Sequence, residues 1–552
     1  MAKSSATGKG AKKPKNNTLV NRDKNDIIPH PFAIFGLLSF FAAFIFNKST
    51  GDIGAGAIGI ISLTVLAGVA VYFALNKKLT PEKALILILI AGFVLRLCYV
   101  LHTDVNIING VTYKQRQHDV YKFEDGIGHA GYIQHFFENG LKLKDVDPTT
   151  ITQFYHPPLH HMIAAVWMRF LTMLGFSYAR SVASIQYLTL FYSSAAMIVC
   201  SKIFRELKLK SWGLVAAISL IAFHPTFLIL AGSINNDMLS VLFILLSIYN
   251  TIVWYKAPST KRIIFIALSV ALGMLTKLSV ALIAPPIAAV FLIKLIECVK
   301  ADKSAQSASE KTTGKMILQY LCFGVVCVPL GLSYVLRNLL KYNVAITYVP
   351  RLSDTSEQYL GNYSIFERLF SLKDSPLSYP FPAQISRGQS YFEYNPFVTL
   401  IKTSLFGEYN YQLDDPTNGA ILPLATVLFW VTILLCVASF VLVAVLLIKR
   451  NGIVNLAQKL LLGGAYYITL ISFVKFAFDY PHFCSQDFRY AVITLVIGAF
   501  AIGAFAENTE EKRKLNIRAK KPATLQACSL YITYTLCAVF CVLSAALYLM
   551  IK

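Results

Sequence analysis

Long apolar runs separated by short charged stretches dominate the chain. Thirteen of these runs are long enough to cross a bilayer as helices, since about 20 apolar residues span its hydrocarbon core. They lie at about 31–47, 56–75, 83–101, 181–200, 212–231, 238–256, 262–278, 280–297, 315–336, 420–448, 459–476, 488–506 and 528–551. The pattern predicts an all-α, polytopic membrane protein.

Composition strengthens this prediction. Of the 552 residues, 56 % are hydrophobic and only 14 % are charged, whereas about a quarter of a soluble chain is charged. The net charge is +22, from 51 basic and 29 acidic residues. We expect the excess to line cytoplasmic loops beside anionic lipid, so nucleic acid is not an expected partner.

The basic residues also predict the topology. The lysine-rich tail, residues 1–30, is expected to be disordered and cytoplasmic. If 158–175 forms a helix that does not cross, the basic loops all face the cytoplasm, as the positive-inside rule requires. These loops are 77–78, 202–210, 256–262, 294–315, 449–450 and 512–521. The arrangement places the C-terminus outside.

This topology divides the chain into five parts. They are the tail 1–30, two extra N-terminal spans in 31–82, a core of spans in 83–340 that includes an outer loop at 102–180, a second large outer loop at 341–419, and the C-terminal spans in 420–552. Polar and aromatic residues therefore cluster on one side of the membrane.

The first outer loop concentrates ionisable side chains, including seven of the ten histidines between 101 and 161. Its candidate acids include Asp119, which follows His118, and Glu124. Ionisable groups gathered beside membrane spans favour a functional site. We expect the chemistry to lie in this loop.

Juxtamembrane helices are predicted within the loop. A helix at about 121–139 has an apolar stripe, typical of an amphipathic helix that lies in the membrane interface with its aromatic side chains facing lipid. Asn139 and Gly140 would end this helix. A second helix would begin at His156–Leu159, with prolines near its first turn.

A metal site is an alternative that the residues leave open. No HExxH motif occurs, which disfavours a membrane zinc protease. A divalent metal (Mg, Mn or Zn) held by Asp119, with His156 or Glu124 helping, stays an alternative. No other cofactor is expected.

Further candidates lie on the same side. Asn236 and Asp237 precede a span, where they could act in a site or cap the helix. The cations Lys277, Arg337 and Arg489 suit a lipid-linked phosphate, although an arginine at a helix end can also extend to the headgroups.

Four sequence patterns together resemble the GT-C glycosyltransferase superfamily, especially its bacterial polyprenyl-phosphate-dependent enzymes related to protein O-mannosyltransferases and lipid A aminoarabinose transferase. They are Asp119 in the first outer loop, Tyr-His-Pro-Pro-Leu at Tyr155–Leu159, Asn-Asn-Asp at Asn235–Asp237, and Asp-Phe-Arg-Tyr at Asp487–Tyr490. Two features depart from the family pattern. His118 stands where members often have a second acid, and two extra spans precede residue 83.

The resemblance implies transfer of a sugar, with inversion, from a polyprenyl-phosphate donor to a glycan, lipid or protein acceptor of the cell envelope. The reaction would occur on the outer face of a bacterial plasma membrane. Asp119 would be the base, with His118, Glu124 or Asp237 orienting it. Lys277, Arg337 and Arg489 would hold the donor phosphate, and substrate would contact Tyr155, His156, Asn236, Tyr394 and Glu408.

Two other classes remain as alternatives. A lipid or glycolipid flippase or carrier would need charged groups through the membrane centre, and the predicted spans contain few. A non-catalytic subunit of envelope assembly would need no base. The identities of the sugar and the acceptor are not encoded in these patterns.

Overall fold

We describe a computed structural model of the protein over residues 31–45, 51–103, 128–143, 146–151, 153–304, 312–373, 377–382, 393–407, 418–449 and 452–550. Throughout these ranges the regular structure is helical, and the one extended pairing is an isolated bridge between Tyr359 and His482. The all-α prediction is confirmed.

Nineteen α-helices form the described part. The first ten are α1 Pro31–Ile45, α2 Gly51–Leu75, α3 Pro81–His102, α4 Gly128–Asn139, α5 Leu159–Met173, α6 Tyr178–Ala183, α7 Ile185–Glu206, α8 Ser211–Phe223, α9 Pro225–Gly232 and α10 Asp237–Lys256. The others are α11 Thr260–Thr276, α12 Ala284–Lys303, α13 Thr313–Tyr342, α14 Ile365–Phe370, α15 Pro396–Phe406, α16 Asn418–Ile448, α17 Leu456–Asp479, α18 Val492–Arg518 and α19 Thr524–Met550. Short 3₁₀ helices cover Leu278–Ile283, Phe483–Gln486 and Phe488–Tyr490.

Ten helices of the described ranges are long and apolar enough to cross a membrane, and the bent pair α8 and α9 makes an eleventh. The protein is therefore a multi-pass membrane protein. The predicted number of thirteen is not confirmed, because the runs at 31–47 and 262–278 form α1 and α11, of only 15 and 17 residues.

The eleventh span is broken at Pro225, where α8 and α9 meet at 44°. Proline has no N–H and cannot bond the carbonyl four residues earlier, which belongs to Ile221. The guanidinium of Arg96, fully buried in α3, donates to the carbonyl of Ile221 at 3.3 Å and to that of Ala222 at 2.7 Å. Arg96 thus satisfies backbone groups that neither water nor lipid can reach.

A polar face on α7 holds the other half of the broken span. Gln186, Thr189 and Ser193 follow one another at spacings of three and four, so they lie on one side of the helix. Their side chains donate to backbone carbonyls of α9, at 3.0, 2.8 and 2.8 Å respectively. The broken span is therefore fixed to its neighbours by directed hydrogen bonds as well as by apolar packing.

The end of the first juxtamembrane helix and the start of the second agree with the sequence prediction. α4 ends at Asn139, and Gly140 follows with a φ of +75°, a left-handed conformation that glycine adopts readily. α5 begins directly after Pro158 and has 15 residues. It is not one of the helices of membrane-spanning length.

The prediction that the aromatic stripe of α4 faces lipid is wrong for Tyr132, Ile133 and Phe136, which are all 0 % exposed. These residues pack against α5, and the Tyr132 hydroxyl bonds that of Tyr334 in α13 at 3.0 Å. The stripe thus has a protein partner, since the non-crossing α5 lies against it. Residues 121–127 of the predicted helix lie outside the described ranges.

Candidate active site

Hydrogen bonds fix the segment between α9 and α10 at three positions. The carbonyl of Gly232 accepts from Gln186 at 3.0 Å, and that of Ile234 is bound by the His160 ring at 2.7 Å. The Asn236 amide donates to the carbonyl of Thr276 at 2.8 Å. This network fixes the start of α10, where Asp237 is the first residue.

Asp237, Lys277 and Arg489, hereafter the charged cluster, meet at one end of the helix bundle. Asp237 is 2 % exposed, and its Oδ1 accepts a hydrogen bond from the Lys277 ammonium. The other carboxylate oxygen lies 4.0 Å from Nε of Arg489. We call this the site end of the bundle. The sequence prediction that these three residues share one side is consistent with the geometry.

Tyr490 connects the two cations of the charged cluster. The Lys277 nitrogen lies 4.6 Å from the centre of its ring and the Arg489 guanidinium carbon 5.1 Å, distances at which cation–π attraction operates. The hydroxyl accepts a bond from Arg489 at 3.1 Å. No role for Tyr490 follows from the sequence alone, although this residue closes the Asp-Phe-Arg-Tyr motif.

Asp487 adds a second carboxylate to this segment. It is 1 % exposed, and its Oδ1 accepts from the Arg489 backbone N–H at 2.7 Å, which starts the 3₁₀ helix Phe488–Tyr490. Two acids and two cations thus gather at the site end. Opposite charges in contact lower the cost of burying each of them.

The Tyr155–His156 turn lies next to the charged cluster. The two rings are 4.1 Å apart. Burial lowers the pKa of His156, and the positive charge of Lys277 lowers it further. Burial raises the pKa of Tyr155, with Arg489 acting in the opposite direction. At neutral pH both side chains are uncharged, so they offer the site hydrogen bonds and ring surfaces.

Three histidines from the same region form what we call the histidine stack: His129, His156 and His161. The ring of His129 lies parallel to both others, at 5.6 Å from His156 and 5.2 Å from His161. Nδ1 of His129 and Nε2 of His161 are hydrogen-bonded at 2.9 Å. The concentration of histidines is visible in the sequence, but the arrangement of their rings is not, because it depends on how α4 packs against α5.

The histidine stack does not fit a shared metal ion. The hydrogen bond between Nδ1 of His129 and Nε2 of His161 uses the lone pair of one ring and the N–H of the other, so these two nitrogens are not both free to bind one metal ion. Within the described ranges, no group of three His, Cys, Asp or Glu residues is arranged to hold a metal. The alternative that pairs Asp119 with His156 stays a prediction, because Asp119 lies outside these ranges.

Arg337 and Tyr394, which were predicted to bind phosphate and substrate, have contacts with residues outside the charged cluster. Arg337 donates to the carbonyl of Leu143 and, at 2.7 Å, to the side-chain oxygen of Asn338. Tyr394 is 1 % exposed, and its ring stacks on Tyr363 at 4.2 Å. Their roles in phosphate and substrate binding stay predictions. His118, Glu124 and Glu408 lie outside the described ranges.

Two cavities adjoin the segment Phe488–Tyr490. One of about 40 Å³ is lined by Lys277, Arg489 and Tyr490, together with Ser240, Ser279 and Thr469. The other, of about 350 Å³, is mainly apolar and lies among α15, α16, α17 and α18, with Phe488 in its wall. A charged and an apolar cavity therefore share one short stretch of chain.

Comparison with known proteins finds one family that matches part of the chain. Residues 155–304 match the dolichyl-phosphate-mannose-protein mannosyltransferase family. This segment begins at Tyr155 and includes Asp237 and Lys277. No curated protein sequence matches the chain.

Among solved structures, the chain is similar to the apo form of the Archaeoglobus fulgidus oligosaccharyltransferase. The sequence identity is 12 % and the TM-score 0.45, over 84 % of this chain and 56 % of that one. The present chain thus spans little more than half the length of that protein. The family match over residues 155–304 agrees with the resemblance seen in the sequence: this segment is similar to mannosyltransferases of the GT-C superfamily of integral membrane glycosyltransferases.

Proposed function

We propose that the protein transfers a sugar, with inversion, from a polyprenyl-phosphate donor to a cell-envelope acceptor on the outer face of the plasma membrane. The observation that carries the proposal is the charged cluster. It places two cations beside a buried carboxylate at the ends of membrane helices, and two of its members lie in the segment that matches the mannosyltransferase family.

The donor phosphate is assigned to Lys277 and Arg489. Arginine can bind two phosphate oxygens at once, and lysine adds a compact positive charge. Both line the small cavity together with Tyr490. As the sugar leaves, negative charge grows on the phosphate, and fixed cations in a site screened from water stabilise that charge.

The lipid tail of the donor is assigned to the apolar cavity. Phe488 lines this cavity, and the next residue, Arg489, belongs to the charged cluster. A polyprenyl chain needs an apolar surface that continues from the place where its phosphate is bound. Consecutive residues of one segment, Phe488 and Arg489, line the two cavities, which supports this assignment.

Asp119 is assigned the role of base. It would take the proton of the acceptor hydroxyl while that oxygen attacks the anomeric carbon from the face opposite the phosphate. The bond from the anomeric carbon to the phosphate oxygen breaks, and polyprenyl phosphate leaves with the electron pair. One displacement inverts the configuration at the sugar.

Asp237 is assigned a different role from that of Asp119. Its carboxylate is bound to Lys277 and faces Arg489, so it holds the cations in place. His156 and Tyr155, uncharged beside it, would contact the sugar or the acceptor. Glu408 and Tyr394 stay assigned to the acceptor side.

The experiment is a donor panel. Purified protein in lipid would be given polyprenyl-phosphate sugars with mannose, galactose, glucose, aminoarabinose or galacturonic acid, and the release of polyprenyl phosphate measured. We expect release with one donor class, and its loss in Asp119→Asn. Asp147→Asn is the matched control, since Asp147 lies in the same predicted loop but holds a turn through Thr149.

Unchanged transfer by Asp119→Asn would remove Asp119 as the base. Movement of the intact donor between leaflets, with no release of polyprenyl phosphate from any sugar, would favour the flippase class instead.

A further inference from the structure

Helix α14 exposes its large apolar side chains and buries an arginine. Ile365, Phe366 and Phe370 are 67, 72 and 68 % exposed, whereas Arg368 is 2 % exposed. A surface helix in water buries its apolar side chains and exposes its charges. The reversed order indicates that the exposed face of α14 does not meet bulk water.

Arg368 fixes where this helix lies. Its guanidinium donates to the carbonyl of Ala477 at 2.7 Å and to the side-chain oxygen of Gln486 at 3.0 Å, and it lies 4.4 Å from the centre of the Phe478 ring. Ala477 is in the last turn of α17, a helix of membrane-spanning length. The last carbonyls of a helix lack partners within it and are bound favourably by a cation. α14 is therefore attached to the end of a span.

The exposed surface of α17 locates the edge of the membrane. Ile471 is 66 % exposed, and Lys475, one turn later, forms an exposed ion pair with Asp479 at 2.6 Å. A change from apolar to charged exposed residues along a span marks the passage from hydrocarbon to headgroups. Ala477 lies between the two charged residues, so α14 is attached at headgroup level.

The apolar face of α14 is already formed. The rings of Phe366 and Phe370 are 5.0 Å apart, and Ser364 and Glu367 close a capping box at the start of the helix. Leu372, just beyond the helix, is 45 % exposed and extends the apolar surface. Aromatic and aliphatic side chains on a short fixed helix suit insertion into the boundary between headgroups and acyl chains.

We propose that the bilayer itself covers α14: the Phe366–Phe370 face inserts into the lipid leaflet at the site end. The surface is thus a lipid-binding surface. Arg368 also donates to the carbonyl of Tyr394 at 3.4 Å, which precedes α15. The insertion anchors the chain that leads to α15, a wall of the apolar cavity. The inference does not depend on the proposed function.

The test uses tryptophan as a reporter in lipid nanodiscs. Phe366→Trp and Phe370→Trp each place an indole on the apolar face, and Glu357→Trp, at an exposed position of the same predicted loop, is the control. The fluorescence of the four native tryptophans, measured on the wild type, is subtracted. We expect lipids brominated in the acyl chains to remove most of the added fluorescence of both reporters and little of the control's.

Acrylamide, a quencher dissolved in water, should give the opposite order. Reporters quenched by acrylamide as strongly as the control, and not by brominated lipid, would show a water-exposed helix and overturn the proposal. Reporters quenched by neither would show that protein covers the face, which also overturns it. The second reporter guards against misfolding of the first, and gel filtration verifies that each variant is folded.

Discussion

Breaking the Asp237–Lys277 pair tests the charged cluster as a physical unit. The side chains of the two residues are only 3 and 10 % exposed. Removing one partner of such a pair leaves an uncompensated buried charge, which costs about 3–5 kcal/mol of stability. Asp237→Asn and Lys277→Met are the substitutions to compare.

The position of Arg489 predicts an order between the two variants. In Lys277→Met, Asp237 still faces Arg489 at 4.0 Å, so part of its charge stays compensated. In Asp237→Asn, two neighbouring cations lose their shared carboxylate and repel each other. We therefore expect the free energy of unfolding to fall by about 4–5 kcal/mol in Asp237→Asn and by less, about 2–4 kcal/mol, in Lys277→Met.

The assay is equilibrium unfolding in mixed lipid–detergent micelles, followed by circular dichroism. Lys475→Met is the matched control, because Lys475 pairs with Asp479 at the site end with its side chain 72 % exposed. An exposed pair at this spacing contributes about 0.3–0.5 kcal/mol. The double variant Asp237→Asn/Lys277→Met should lose less than the sum of the single losses.

A loss in Asp237→Asn no greater than in the Lys475→Met control would refute the reasoning. A larger loss in Lys277→Met than in Asp237→Asn would show that Arg489 does not share the carboxylate.

Three further outcomes follow from the structure. Burial lowers the pKa values of His129, His156 and His161 below the usual 6.5, so the unfolded state binds more protons than the folded state as the pH falls. The free energy of unfolding should be constant above about pH 6.5 and then drop by about 1.4 kcal/mol per pH unit for each histidine. A free energy of unfolding that does not change between about pH 7 and pH 5 would contradict this. Because Nδ1 of His129 and Nε2 of His161 bond each other, His161→Ala should leave the metal content of the purified protein unchanged by mass spectrometry; a loss of bound metal would argue for a ligand role. Because Arg96 bonds the carbonyl that Pro225 leaves without a partner, Arg96→Gln should cost about 2–3 kcal/mol in the wild type and less in a Pro225→Ala background, and equal costs in a double-mutant cycle would exclude this coupling.

Hydropathy and charge predicted the broad architecture well. Apolar runs of about 20 residues need only their length and composition to be identified. Within the described ranges, eleven of those predicted coincide with helices, or with the bent pair α8 and α9, that are long and apolar enough to span a membrane. The grouping of Asp237, Lys277 and Arg489 was also accessible, because each lies next to a span on the same predicted side.

Other features depend on packing that no local pattern contains. The stripe on α4 has the same spacing whether it faces lipid or protein, and only the position of α5 and Tyr334 decides that it is buried. No local pattern shows that the guanidinium of Arg337 donates to the carbonyl of Leu143, 194 residues earlier in the chain. Arg96 did leave a signal, since an arginine inside an apolar run requires an internal partner.

The most direct test of the central claim follows the phosphorus of the donor by NMR. Wild-type protein, incubated with its sugar-charged polyprenyl phosphate and acceptor, should convert the phosphodiester signal into that of a phosphomonoester. Lys277→Met and Arg489→Met should convert it far more slowly, while the control Lys475→Met converts it at the wild-type rate. A phosphodiester signal that persists with wild-type protein and every donor of the panel would contradict the account, and so would full activity in both cation variants.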